Sequence, residues 1–154
     1  MKSKHERSWI LFILQLFLGV GAVFGGVGLM IDPTGESVGL ASSLLERSPF
    51  QDFMIPGIIL FIVLGVFPLL LSMALITRWD WSMADKINIF KDRHWSWAFS
   101  LYSGFALIIW IVVQVYMINA VSLIHMVYIT LGLMIQIVTL LPSVQARYTT
   151  KLNI

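Results

Sequence analysis

Four long stretches of this chain contain no Asp, Glu, Lys or Arg, and every charged residue lies between them. They run from Trp9 to Ile31, Met54 to Thr77, Trp97 to Ile118 and Val121 to Leu141. An α-helix rises about 1.5 Å per residue, so each stretch is long enough to cross the roughly 30 Å hydrocarbon core of a bilayer. The chain is 58% hydrophobic and only 12% charged, whereas soluble domains carry about a quarter charged residues. The expected fold is all-α: a polytopic membrane four-helix bundle forming one domain over residues 1–154.

The placement of charge predicts orientation. Basic residues near span ends stay on the cytoplasmic side. Lys2, Lys4 and Arg7 precede the first span, Arg78, Lys86, Lys91 and Arg93 occupy the second connection (78–96), and Arg147 and Lys151 lie in the tail (142–154). The first connection (32–53) has Arg47 alone, with Asp32, Glu36, Glu46 and Asp52, and the third has no charge. Both termini and the middle connection are therefore expected in the cytoplasm, and 32–53 becomes a long, acidic outer loop. Trp9, Trp79, Trp81, Trp95 and Trp97 gather at the same expected cytoplasmic interface, where amphipathic indoles are favoured. The first apolar run is longer than the roughly 7 to 15 residues of a signal-peptide core, so it is expected to be retained.

At 100° per residue, Gln15, Gly19, Ala22 and Gly26 share one face of the first span, and Gly21, Gly25 and Gly28 form a second. Gly57, Gly65, Pro68 and Ser72 share a face of the second span. Small residues let helices approach closely in lipid, and Pro68 predicts a kink by freeing the carbonyl of Leu64. In the last two spans the polar residues form stripes: Ser100, Ser103 and Gln114 on one, and His125, Tyr128, Gly132, Gln136 and Thr139 on the other. The connection at Asn119 and Ala120 demands a tight antiparallel hairpin. It sets Gln114 level with His125, Ser103 with Gln136 and Ser100 with Thr139. Interhelical hydrogen bonds are expected along this seam, with Gln15 of the first span joining it. His125 is the one histidine within the spans.

The outer loop is the first place to look for recognition or chemistry, because a connection this long tends to be functional. Asp32-Pro33-Thr34-Gly35 reads as a turn. Leu40 to Arg47 is expected to form a short amphipathic helix, with Leu40, Leu44 and Leu45 toward the membrane and Glu46 and Arg47 toward water. Ser48-Pro49-Phe50-Gln51 has the pattern of a helix start, with Ser48 as N-cap and Asp52 in the first turn. The candidate outer-face site comprises Asp32, Glu36, Glu46, Arg47, Asp52 and His125. The cytoplasmic connection, with Trp79, Trp81, Met83, Ile87 and Ile89 among its charges, is expected to be an amphipathic segment attracted to anionic lipid or docking a partner.

Several functions are excluded. The absence of cysteine removes thiol redox chemistry, thiolate metal sites and Cys lipidation. No Gly-rich phosphate loop, Ser-His-Asp set or His-Glu-x-x-His occurs, and no cofactor is implied. One His with scattered carboxylates is weak evidence for zinc, which leaves two readings of His125: an interfacial histidine hydrogen-bonded to Gln114 or headgroups, or a proton acceptor or metal ligand with Asp32, Glu36, Glu46 or Asp52. A net charge of +2 gives no case for nucleic acid. Proton-coupled carriers need buried carboxylates, and the spans have none.

The segments Gly-Leu-Met-Ile-Asp-Pro-Thr-Gly, Ser-Leu-Leu-Glu-Arg-Ser-Pro-Phe and Ile-Pro-Gly-Ile-Ile-Leu-Phe, within Gly28 to Phe61, resemble a group of small four-span proteins of unassigned function from Gram-positive bacteria. The architecture is also similar to DoxX-type four-helix membrane proteins. The resemblance implies a bacterial plasma-membrane protein and carries no reaction. Small multidrug exporters are similar in span number, but they use a glutamate in the first helix where this chain has only Gln15. The expected function is that of a non-enzymatic accessory, regulatory or envelope-associated protein in the lipid bilayer. It would recognise a membrane-protein partner or a lipid. An oligomeric small transporter or channel built around the glycine-rich first helix is the alternative, followed by a membrane enzyme using Glu46, Asp52 and His125.

Overall fold

A computed structural model describes residues 7–150 of the protein; Lys2, Lys4 and Lys151, which contribute to the expected topology, lie outside them. The helices are α1 (Trp9–Ile31), α2 (Met54–Thr77), α3 (Ser82–Ile87), α4 (Trp95–Ile118), α5 (Leu123–Leu140) and α6 (Pro142–Arg147). Of these, α1, α2, α4 and α5 are long and apolar enough to cross a membrane. The fold is an all-helical four-span bundle made of two hairpins, α1–α2 and α4–α5. The end bearing Ser8, Thr77, Trp95 and Leu140 is called the basic end, and the opposite one the loop end.

Local chemistry sets the helix limits. Ser8 caps α1 by accepting from the Leu11 amide at 3.4 Å. His94 caps α4, its Nδ1 accepting from the Ser96 amide at 3.2 Å, so this helix starts two residues before the charge-free stretch suggests. Asn119, at φ 52°, closes α4 in the left-handed conformation that Asn tolerates. Ser122 and His125 then form a reciprocal capping box that starts α5 at Leu123. Pro142 disfavours helical backbone at Leu141, whose ψ of 130° separates α5 from α6.

Glycines bring α1 and α2 together. A Cβ added to Gly26 would lie 2.7 Å from the Phe61 Cβ and 2.8 Å from the Gly57 carbonyl. Gly19 approaches Leu69 and the Gly65 carbonyl, and Gly65 lies against Val23. Backbones this close gain the packing attraction that substitutes in lipid for the hydrophobic effect. The glycines of the other face also meet the same chain: Gly21 lies against the Tyr128 hydroxyl, Gly25 against Leu60 and Gly28 against Val38. The second hairpin crosses at Gly104 and Gly132, where a Cβ on Gly132 would meet Ile108 at 2.8 Å.

Pro68 acts through a widened turn. Residues Leu60–Val66 form a π-helical segment, and the Phe67 amide bonds back to the Ile62 carbonyl. A proline in a regular α-helix drives its ring into the carbonyl four residues earlier. The π segment directly before Pro68 spreads the backbone and accommodates that conflict. Side chains of both hairpins fill the bundle axis, with Leu11, Leu18, Leu64, Leu107 and Ile135 almost wholly buried.

Four local expectations are corrected. The segment Ser48–Gln51 is not helical: Ser48 Oγ accepts from the Phe50 amide in a local turn, and the helix begins at Met54. A helix begun at Pro49 would place Pro56 in its interior, whereas a start at Met54 puts that proline in the first turn, where no amide donor is needed. Leu40 to Arg47 contains only a 3-10 turn, Ser42–Leu45, not an amphipathic α-helix, although Leu44 and Leu45 are half-buried and Glu46 and Arg47 exposed. In the 78–96 connection only α3 is helical before α4 begins. Trp95 and Trp97 are core residues, not interfacial anchors: the Trp95 Nε1 donates to the Trp79 carbonyl and the Trp97 Nε1 to the Thr139 carbonyl, each at 2.8 Å.

Candidate functional site

At the loop end, Asp32 organises the backbone that follows α1. One carboxylate oxygen accepts from the Thr34 hydroxyl at 2.6 Å and the Thr34 amide at 3.1 Å, and the other from the Ser37 amide at 2.8 Å. The Thr34 hydroxyl and the Ser37 amide hold its pKa down to about 2, from an ordinary 3.8. Asp52 accepts from the Met54 amide at 2.9 Å and so helps start α2. Glu36, Glu46 and Arg47 are exposed. Among the described residues, no group of three or more His, Asp or Glu is gathered closely enough to hold a metal ion. The five loop residues of the candidate outer-face site thus divide into two that shape backbone, Asp32 and Asp52, and three that face outward.

His125 is buried, and its Nδ1 lies 3.1 Å from the Ser122 amide and 3.0 Å from the Ser122 hydroxyl. The capping box engages this nitrogen. Among the described residues, no hydrogen bond joins His125 to Gln114 or to the acidic loop.

The polar seam forms differently from the expected pattern. Gln15, wholly buried on α1, donates its Nε2 to the Ser103 hydroxyl at 2.7 Å and to the Ser100 carbonyl at 3.4 Å. The hydroxyls of Ser100, Ser103 and Thr139 donate to carbonyls of their own helices, at Ser96, Ser100 and Ile135. Back-bonding to the preceding turn satisfies a short hydroxyl in lipid without a partner helix, so the expected Ser103–Gln136 and Ser100–Thr139 bonds do not form. Gln136 packs its stem against Gly104, and its buried Nε2 has no acceptor; the Gln15 Oε1 likewise has no donor. Tyr128 reaches α1 at Gly21. The seam runs from α1 to α4.

Sequence reasoning missed a junction at the basic end. Tyr148, buried just beyond α6, donates its hydroxyl to the Leu75 carbonyl at 3.1 Å and accepts from the Ser8 amide at 3.4 Å. It thereby joins the start of α1 to the last turn of α2. Arg78, in the left-handed conformation at φ 53°, places its guanidinium 4.8 Å from the Tyr148 ring centre, a cation–π distance. The Arg147 Nη1 donates to the Arg7 carbonyl at 2.9 Å. The Tyr148 carbonyl accepts from the His94 amide at 2.8 Å, Thr149 pairs with Arg93 in an antiparallel bridge, and the Thr150 amide bonds to the Asp92 carbonyl at 3.0 Å.

A cleft of about 240 Å³ opens here, lined by Arg78, His94, Arg147, Tyr148, Thr149 and Thr150. Its lining has two guanidinium groups, an imidazole and three hydroxyls, and no carboxylate. Because His94 Nδ1 accepts from the Ser96 amide, the neutral ring carries its proton on Nε2. This Nε2 is buried without a well-formed hydrogen bond, although the Trp79 carbonyl nearby favours its proton. Burial pushes the His94 pKa down, and the charge of Arg78 adds to that; Asp85 and Asp80 oppose it. Desolvation raises the Tyr148 pKa. The one sequence signal for this junction is a lone aromatic residue, Tyr148, beside Arg147 in the tail, and no periodicity marks it.

Compared with protein-family models, curated proteins and solved structures, the chain matches none.

Proposed function

We propose that this is a bacterial plasma-membrane protein that acts by recognition, as an accessory or regulatory component, with both termini and the basic end in the cytoplasm. The observation that carries the reading is the filled bundle axis. Leu11, Leu18, Leu64, Leu107 and Ile135 occupy the space through which a solute pathway would run, and no carboxylate or cation lies within the four spans to exchange protons or ions. The glycine face that motivates an oligomeric transporter is engaged by Tyr128, Leu60 and Val38 of the same chain. Of the residues that motivate an enzyme, Asp52 is taken up in starting α2, Glu46 lies exposed and His125 is held in the capping box of α5.

Recognition then belongs to the two ends, the ordered acidic loop and the cationic cleft. The test is affinity purification of the full chain from native membranes in mild detergent, with proteins and lipids identified. A stable heterologous protein or a selectively retained lipid supports the reading. A homo-oligomer retaining neither contradicts it.

A further inference from the structure

We propose that the cleft bounded by Arg78, His94 and Arg147 binds a phosphate-bearing anion, either an anionic phospholipid headgroup or free phosphate. This rests on the reading of the protein as one that acts by recognition, and it names the ligand chemistry for the basic end.

Three observations converge. The cleft collects anion-binding donors from three separate parts of the chain: the Arg78 guanidinium after α2, the neutral His94 imidazole at the cap of α4 and the Arg147 guanidinium in the last turn of α6. Chain segments far apart in sequence are held together there by the hydrogen bonds of Tyr148 to Leu75 and Ser8 and of His94 to the Tyr148 carbonyl, so the arrangement is fixed by the fold. The remaining lining is hydroxyl-bearing, with Tyr148, Thr149 and Thr150. Guanidinium groups offer forked donors suited to phosphate oxygens, and hydroxyls complete such a shell.

Size and position agree with that chemistry. About 240 Å³ holds a phosphate group with a small polar substituent and is too small for a folded partner. The cleft lies where the spans end, since its Tyr148 hydroxyl accepts from the Ser8 amide at the start of α1, at the depth of lipid headgroups when α1 crosses a bilayer. In the orientation proposed above it faces the leaflet whose anionic lipids attract Lys and Arg. Arg78 and Arg147 need not give up their present contacts, since each guanidinium has five donors.

The test uses the full chain in maltoside detergent, with unfolding followed by tryptophan fluorescence. The probes are phosphatidylglycerol, diacylglycerol with the same acyl chains, and inorganic phosphate at constant ionic strength. Phosphatidylglycerol should raise the unfolding midpoint saturably and diacylglycerol should not. Arg147→Gln should weaken half-saturation roughly tenfold, the loss expected for one charge-assisted contact. Thr149→Glu, at an exposed position on the rim, should do the same by placing a carboxylate in the cleft, and it serves if the arginine variant fails to fold. An equal effect of inorganic phosphate identifies the soluble ion as sufficient, and an effect of the lipid alone identifies the headgroup. Absence of any shift with both probes, or a shift unchanged in Thr149→Glu, overturns the proposal. A partner protein recovered from native membranes in that event would leave the recognition reading standing.

Discussion

Gln15 on α1 donates its Nε2 to the Ser103 hydroxyl on α4 at 2.7 Å, and so ties the first hairpin to the second inside the apolar bundle. A polar contact of this kind between membrane helices is worth about 0.6 to 2 kcal/mol. The Gln136 amide nitrogen, by contrast, is buried and bonded to nothing. Gln15→Ala should lower stability by about 1 to 3 kcal/mol, through the lost bond and the space it leaves. Gln136→Leu should leave stability unchanged or raise it, because it removes an unsatisfied donor. Thermal unfolding in detergent checks both; equal losses in the two variants would show that the seam joins α4 to α5 after all.

Gly26→Ala tests the close approach of α1 and α2. Its Cβ would meet the Phe61 Cβ at 2.7 Å and the Gly57 carbonyl at 2.8 Å, and backbone cannot yield as a flexible side chain can. A loss of about 1 to 3 kcal/mol is expected. Gly39→Ala meets no atom within 4 Å, and only its φ of +73° is unfavourable, which costs about 1 to 2 kcal/mol at most. Comparable unfolding midpoints for wild type and Gly26→Ala would place the helices farther apart than described.

Asp32 should hold the loop in order over a wide pH range. Its folded pKa of about 2 lies below the ordinary 3.8, so its contribution is present above about pH 4 and is lost as pH falls through about 2. Asp32→Ala should speed hydrogen exchange at the Thr34 and Ser37 amides at neutral pH. Unaltered protection at both amides in that variant would remove Asp32 from the role of loop organiser.

The basic end should respond to pH with the opposite group type and the same sign. His94 has its pKa lowered from 6.5 by burial first and by Arg78, so the unfolded chain takes up its proton before the folded one. Its contribution to stability is full above pH 6.5 and declines as pH falls below that value. The unfolding midpoint should therefore drop between pH 7.5 and 5.5, and His94→Gln should flatten the drop. Tyr148→Phe, which deletes the hydroxyl bonded to Leu75 and Ser8, should cost about 1 to 2 kcal/mol at every pH in that window. A His94→Gln profile as steep as wild type would assign the titration to another group.

The distribution of charge made the four spans legible because lipid admits few exceptions to it. Their packing glycines were legible as well, since Gly19, Gly26, Gly57 and Gly65 lie at helical spacing and all meet the facing helix. The partners of the polar side chains were not. A helical wheel shows that Ser100, Ser103 and Thr139 face inward, but not that each hydroxyl turns back to its own helix. Trp95 and Trp97 have the composition of interfacial anchors, and only tertiary structure reveals their burial and their bonds to Trp79 and Thr139. Pro49 and Pro56 both permit a helix start, and only one of them can lie in the first turn. The Tyr148 junction is the least local feature, joining Ser8 to a residue 140 positions away, and it has no signature shorter than the fold itself.

Flux through the full chain in sealed liposomes is the measurement that bears most directly on a bundle that binds and does not conduct. With equal protein incorporation verified, proton and potassium flux should equal that of protein-free vesicles at either sign of membrane potential. Flux that rises in proportion to the amount of protein and falls when Leu64 or Leu107 on the axis is replaced by Trp would contradict a closed axis.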